Sequence, residues 1–164
     1  MAAHYSTQLQ EVEELAGELG IDLQHLVPDD VDAVVLPAYS VNTEMVFQAF
    51  SKEIERALTA KGLRATLYND ARQRKDLIQK SADVILPVVL YVGSLAVAFG
   101  VNVLSSWVYD RFLKDSPSAR NQLRVEYAEL DMATGKVKRH VVEGSAPEVH
   151  AFLCGKEPDL EEDG

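Results

Sequence analysis

The stretch Val84-Ile-Leu-Pro-Val-Val-Leu-Tyr-Val-Gly-Ser-Leu-Ala-Val-Ala-Phe-Gly-Val-Asn-Val-Leu-Ser-Ser-Trp-Val-Tyr109 decides the architecture. Its 26 residues carry no charge, and the run is bounded by Asp83 and Asp110. A window from Val84 to Asn102 meets the length and apolarity of a membrane crossing, for which about 20 apolar residues suffice. Tyr91, Trp107 and Tyr109 would then be interfacial anchors. A second reading divides the run. Asp83 to Leu90 is β-branched and predicts a third buried strand, and Gly93-Ser94 opens a helix from Leu95 to Leu113. On that helix Leu95, Phe99, Asn102, Val103 and Ser106 share one side, with Val97, Val101, Leu104 and Val108 on the other. Such an all-round apolar helix is expected to be covered on both sides, in the core or against another copy. A third reading is one long helix over 72–113, bent at Pro87.

The flanking sequence favours the divided reading. Upstream, Val31 to Pro37 predicts a buried strand, and residues 44–61 predict a helix with Val46, Phe47, Phe50, Ile54, Ala57 and Leu58 on one stripe. Asn42 or Thr43 is its expected cap, and Gly62 ends it. Leu63 to Tyr68 predicts a second strand, so the order is that of a right-handed βαβ unit with parallel strands. Downstream, Leu123-Arg124-Val125-Glu126-Tyr127 and Lys136 to Val142 flank the turn-forming Asp131-Met132-Ala133-Thr134-Gly135, which predicts a hairpin. Pro147 fits the first turn of a short helix carrying Val149, Phe152 and Leu153. A single membrane crossing would separate the βαβ unit from the hairpin, and neither half makes a good fold by itself. The sequence therefore predicts one α/β domain over 1–155 with a mixed sheet covered by helices, and an acidic disordered tail over 156–164. Near the start, Leu9, Val12, Leu15, Ala16 and Leu19 predict an amphipathic helix over Thr7–Leu19, stopped by Gly20, and 21–30 predict a connector.

The chain of 164 residues has 26 acids against 16 bases, a net charge of −10, which argues against wide contact with nucleic acid. The charge is uneven: 11 acids and 3 bases over 1–62 give −8, 5 and 9 over 63–124 give +4, and 10 and 4 over 125–164 give −6. The basic group Arg64, Arg72, Arg74, Lys75 and Lys80 reads as a solvated helix face, or else as a site for an acidic partner or headgroup. Cys154 is the one cysteine, so no internal disulfide is available, and a reducing compartment is expected. The N-terminus lacks the basic start and apolar run of a signal peptide. The expected location is the cytoplasm, or the inner membrane under the crossing reading.

Catalytic patterns are missing. There is no HExxH, GxSxG, GxxxxGK[ST] or GxGxxG. His140 and Glu143 lie three apart on a strand and so on opposite faces, which leaves His140 as an expected surface residue. Cys154, after Phe152-Leu153, is expected to be a small buried residue. No metal and no cofactor are expected. Ligands of parallel α/β sheets bind beyond the carboxyl ends of the strands. That rule singles out Ser40, Asn42 and Thr43 after the first strand, and Asn69, Asp70 and Arg72 after the second. Capping and turn-making is the competing role for all six.

In its order of strand, helix, strand, helix and apolar strand, the first ninety residues resemble the start of a TIR-like domain, which implies nucleotide binding or sensing. The helix glutamate on which NAD-cleaving members depend has no counterpart, because no acid lies between Asp83 and Asp110. The same gap counts against a nucleoside deoxyribosyltransferase. Residues 83–153 join an apolar small-residue helix, a hairpin and the ending Glu143-Gly-Ser-Ala-Pro-Glu-Val-His-Ala-Phe-Leu153. This order resembles the effector-associated constant component family of bacterial conflict systems, which implies a partner of effectors and not a catalyst. The leading expectation is a non-catalytic accessory protein that meets a protein partner or a second copy through Leu95, Phe99, Val103 and Trp107. A membrane effector or anchor and a TIR-like sensor are the alternatives.

Overall fold

A computed structural model describes residues 3–41, 43–78, 83–114 and 122–155. The expected hairpin is the longest regular feature: β9 (Gln122–Asp131) and β10 (Lys136–Ser145) pair antiparallel along their whole length. Its turn follows from local chemistry. The Asp131 carboxylate accepts from the Ala133 N–H, and Gly135 adopts the left-handed conformation that closes the loop.

Around the hairpin a seven-stranded mixed sheet is assembled. Its other members are β1 (His4–Glu11), β2 (Ala33–Val35), β5 (Ala65–Leu67), β7 (Asp83–Ile85) and β8 (Val89–Val92). Their order is β1-β10-β9-β8-β2-β5, with β7 beside β9. A second sheet joins β3 (Tyr39–Ser40), β4 (Glu44–Phe47) and β6 (Gln73–Asp76). The helices are α1 (Val12–Leu19), α2 (Leu23–Leu26), α3 (Ser51–Ala60), α4 (Ser94–Val108) and α5 (Ala146–Leu153). α4 runs on into a π-helical turn, Tyr109–Leu113.

β2 and β5 pair in parallel across α3, as the βαβ order requires. α5 starts as expected, with Pro147 in its first turn, and a reciprocal Ser145–Glu148 capping box fixes its start. Cross-strand register sorts the side chains into two faces. Tyr5, His140, Tyr127, Val89 and Tyr91 share one face. There α5 lies against Tyr5 through Phe152, and α4 lies against Tyr91 through Gly100. Gln10, Arg139 and Glu126 lie on the opposite face, where α1 reaches Arg139 through Glu18. Val34, Val35, Val89, Leu90, Tyr91 and Ala128 fill the centre with essentially no exposure.

Several expectations need correction. The uncharged run is not one element: it supplies β7, β8 and α4 in turn, and Pro87 falls between the two strands. The long kinked helix over 72–113 is absent from the described residues. None of their helices is long and apolar enough to cross a membrane. The expected third buried strand is present as β8, and it runs antiparallel to β2 and parallel to β9. The first segment is helical only from Val12, because the backbone of His4 to Glu11 is paired along β10. Residues 44–47 form a strand, and the helix expected from 44 begins at Ser51. Phe50 at its start adopts φ +72, a left-handed conformation that costs a non-glycine residue about 1 kcal/mol or more. Its ring meets Trp107 and Phe112, and the Arg111 guanidinium lies over it.

The basic group does not form a helix face either. Arg64 sits at the start of β5 on the Asp32 carboxylate, Arg74 and Lys75 lie on exposed β6, and Lys80 is outside the described residues. The acidic segment 156–164 also lies outside them.

Candidate functional site

The carboxyl ends of β2 and β5 bring most of the expected strand-end residues together. Tyr68, just beyond β5, accepts the Asp22 N–H at 2.8 Å and donates its hydroxyl to Asp70 at 2.9 Å. Arg72 binds the Asp70 carboxylate at 2.6 Å and also reaches the carbonyls of Gly20, at 2.9 Å, and Val41, at 3.2 Å. Gly20 is left-handed, and a Cβ there would stand 3.2 Å from the Ser40 carbonyl oxygen, so the α1 terminus and β3 lie close together. The Ser40 hydroxyl is buried and has no hydrogen-bond partner among the described residues. Thr43 contributes its carbonyl to the Gln73 N–H, Asn69 is exposed, and Asn42 lies outside the described residues.

This arrangement locks three loops to one another. Arg72 holds the Asp70 carboxyl well below the usual carboxylate range, chiefly through their hydrogen bonds, although burial works the other way. A depressed folded value means that the stabilisation is complete at neutral pH and is lost as the pH falls below about 4, where an unfolded aspartate takes up its proton. Asp70→Asn is therefore expected to cost about 2 kcal/mol at pH 7 and progressively less towards pH 3. Urea unfolding at the two pH values measures the difference, and an equal loss at both would contradict the ion-pair role.

A second cluster lies under α5. The His140 ring is largely buried, stacked on Tyr127 with centroids 4.7 Å apart, and its Nδ1 shares a 2.8 Å hydrogen bond with the Tyr5 hydroxyl. It is thus a packed histidine where a surface one was expected. Burial pushes the Tyr127 hydroxyl far above the usual tyrosine range. Cys154 is half-buried and is the C-terminal cap of α5. Its Sγ lies 2.8 Å from the buried Ser105 hydroxyl and 3.3 Å from His150 Nε2. A thiol beside an imidazole can arm a nucleophile, but this one is joined to α4 through Ser105 and ties the two helices. No group of three metal-ligating side chains occurs among the described residues.

The third feature is the outer side of α4. Ala96, Gly100, Val103, Leu104 and Val108 are buried, whereas Leu95, Ala98, Phe99, Asn102, Ser106 and Tyr109 form an exposed stripe at helical spacing without a charge. Leu95 is 87% exposed and Phe99 47%. Of the residues expected at an interface, these two stand outside, Val103 is buried, and Trp107 is half-buried against Phe50 and Phe112. A groove of about 420 Å³ runs beside the stripe, lined by Asp32, Gly62, Leu63, Val92 and Ala96 together with Leu95 and Phe99. The all-round apolar pattern marked α4, yet it predicted cover on both sides. The period-three-to-four spacing of Leu95, Phe99, Asn102 and Ser106 was the signal for this side.

Comparison of the chain with protein-family models, curated proteins and solved structures finds no match.

Proposed function

We propose that this chain is a non-catalytic accessory protein of the cytoplasm that binds a protein partner through the outer stripe of α4. The observation that carries the reading is an uncharged helix face exposing Leu95 and Phe99 on an acidic protein. Exposed apolar surface that is continuous and rimmed by polar residues marks contact sites, and an aromatic side chain beside a groove is a usual anchor. Phe99 is that anchor, and Leu95 lines the groove with it. Asp32 and Asn102 form part of the polar rim. The resemblance of residues 83–153 to the effector-associated constant component family suggests the setting, a bacterial conflict system in which the partner is an effector. A nucleotide-sensing role finds less support, because Asp70 and Arg72 already bind each other and backbone carbonyls.

The test is co-expression of the full chain with the proteins encoded beside it, followed by tandem purification. One neighbour should copurify with the wild type and be lost with Leu95→Asp/Phe99→Asp. Both positions are exposed, so the thermal unfolding midpoint should hardly move. Copurification that survives the double substitution, or no copurifying neighbour at all, would overturn the reading.

A further inference from the structure

Among the described residues three strands of the sheet are paired on one side only, and they differ. β5 and β7 offer three residues each, while β1 offers eight, His4 to Glu11, paired to β10. Exposed edges are usually blunted by shortness, proline, lysine, inward charges or a bulge. β1 uses none of these: Tyr5-Ser-Thr-Gln-Leu-Gln10 contains no charge, proline or glycine, and its ladder to β10 is unbroken. Nearby charges are matched within the chain. Lys136 stands between Glu11 and Asp131, and Lys138 stands beside Glu129.

We infer that β1 pairs antiparallel with β1 of a second copy about a two-fold axis at Thr7, joining two seven-stranded sheets into one. An axis normal to the sheet pairs each residue with one on the same face, so the copies must pair about a single residue. Centring on Thr7 uses every residue from His4 to Gln10. It sets Thr7 against Thr7, Leu9 against Tyr5 on the α5 face, and Ser6 against Gln8 and His4 against Gln10 on the other. No two like charges face each other. Leu9, 64% exposed in the single chain, gains an aromatic cross-strand neighbour in both copies. Centring on Gln8 would instead set Glu11 against Tyr5. The ends are complementary as well: reversal brings the Lys136–Arg139 end of one β10 towards the Glu143 end of the other.

Light-scattering mass of the full chain over a dilution series tests the inference, together with two cysteine variants. The wild type should have the mass of two chains, and Thr7→Lys, which places two ammonium groups face to face, should have the mass of one. Under mild oxidation Thr7→Cys should form a disulfide between copies, because directly opposed residues stand about 4.5–5.5 Å apart at Cα. Gln8→Cys should not. A wild type of single-chain mass would overturn the inference, including one that dimerises only when 156–164 is removed. So would a dimer that survives Thr7→Lys, a link at position 8 in place of 7, or a dimer dissolved by Leu95→Asp/Phe99→Asp. The last result would place self-association on α4, whereas loss of the β1 dimer leaves the partner reading intact.

Discussion

Gly100→Ala should destabilise the protein by about 3 kcal/mol or more, the upper end of what overpacking costs. Helix propensity alone predicts the opposite sign, a gain of about 1 kcal/mol for alanine over glycine. The packing decides it. A Cβ at Gly100 would overlap the Tyr91 ring, closest to Cε1 and Cζ, and would stand 2.7 Å from the hydroxyl oxygen. Tyr91 is fully buried on β8, in the middle of the sheet, so the ring has no free direction in which to turn. The helix must lift from the strand instead, and close-packed interiors do not absorb such a shift cheaply. Urea unfolding measures the loss. Tyr91→Leu in the same chain should recover part of it, since the two sites share one contact. Unchanged stability of Gly100→Ala would mean that α4 does not lie on β8 as described. Tyr91→Phe is a milder companion: its hydroxyl is buried without a hydrogen-bond partner among the described residues, so losing it should be neutral or gain about 1 kcal/mol.

The second large effect concerns the opposite face. Glu126 is 5% exposed and takes the Arg139 guanidinium at 2.6 Å. Arg124 stands 3.7 Å from its other oxygen. Arg139 also binds Glu18 of α1 at 2.8 Å and Gln10 of β1 at 3.1 Å, so the buried carboxylate anchors a group that joins four elements, β1, α1, β9 and β10. Glu126→Ala should cost about 3 kcal/mol, because it leaves a desolvated guanidinium short of its main counter-charge. Glu126→Leu combined with Arg139→Met should cost much less than the sum of the single changes, since an apolar pair needs no compensation. Additive losses in that cycle would show that the pair does not act as a unit. The effect should persist in added salt, which screens buried pairs weakly.

Which elements could be read from the sequence follows from the range of the forces that make them. The β9–β10 hairpin and α5 were legible because their signals are local: alternation on both sides of Asp131 to Gly135, and Pro147 in a first turn. β1 was misread because Leu9, Val12, Leu15, Ala16 and Leu19 fit helical spacing, although only the part from Val12 onward is helical. The pairing that makes His4 to Glu11 a strand lies more than a hundred residues away, on β10. An alternating Tyr5-Thr7-Leu9 set against Ser6-Gln8-Gln10 was the available clue. Val46 and Phe47 fit the helix stripe of α3 equally well, and the left-handed turn at Phe50 that separates them from it has no glycine to announce it. The direction of β8 depends on its neighbours and leaves no local trace.

The site divides in the same way. Proximity of Ser40, Thr43, Asp70 and Arg72 followed from the strand-end rule. Their engagement with one another did not, because two of the acceptors of Arg72 are the distant backbone carbonyls of Gly20 and Val41. The buried Glu126–Arg139 pair was hidden in two alternating strands, β9 and β10, where a charge between apolar residues has the pattern of a solvent-facing position.

The most direct test of the partner surface is photo-crosslinking in the native cells, with a photoreactive side chain in place of Phe99. Exposed Lys52 on α3 serves as the control position. One discrete crosslinked product is expected at position 99, containing a single different protein, and none at position 52. The same products from both positions, or a product at 99 containing only a second copy of this chain, would contradict the partner reading.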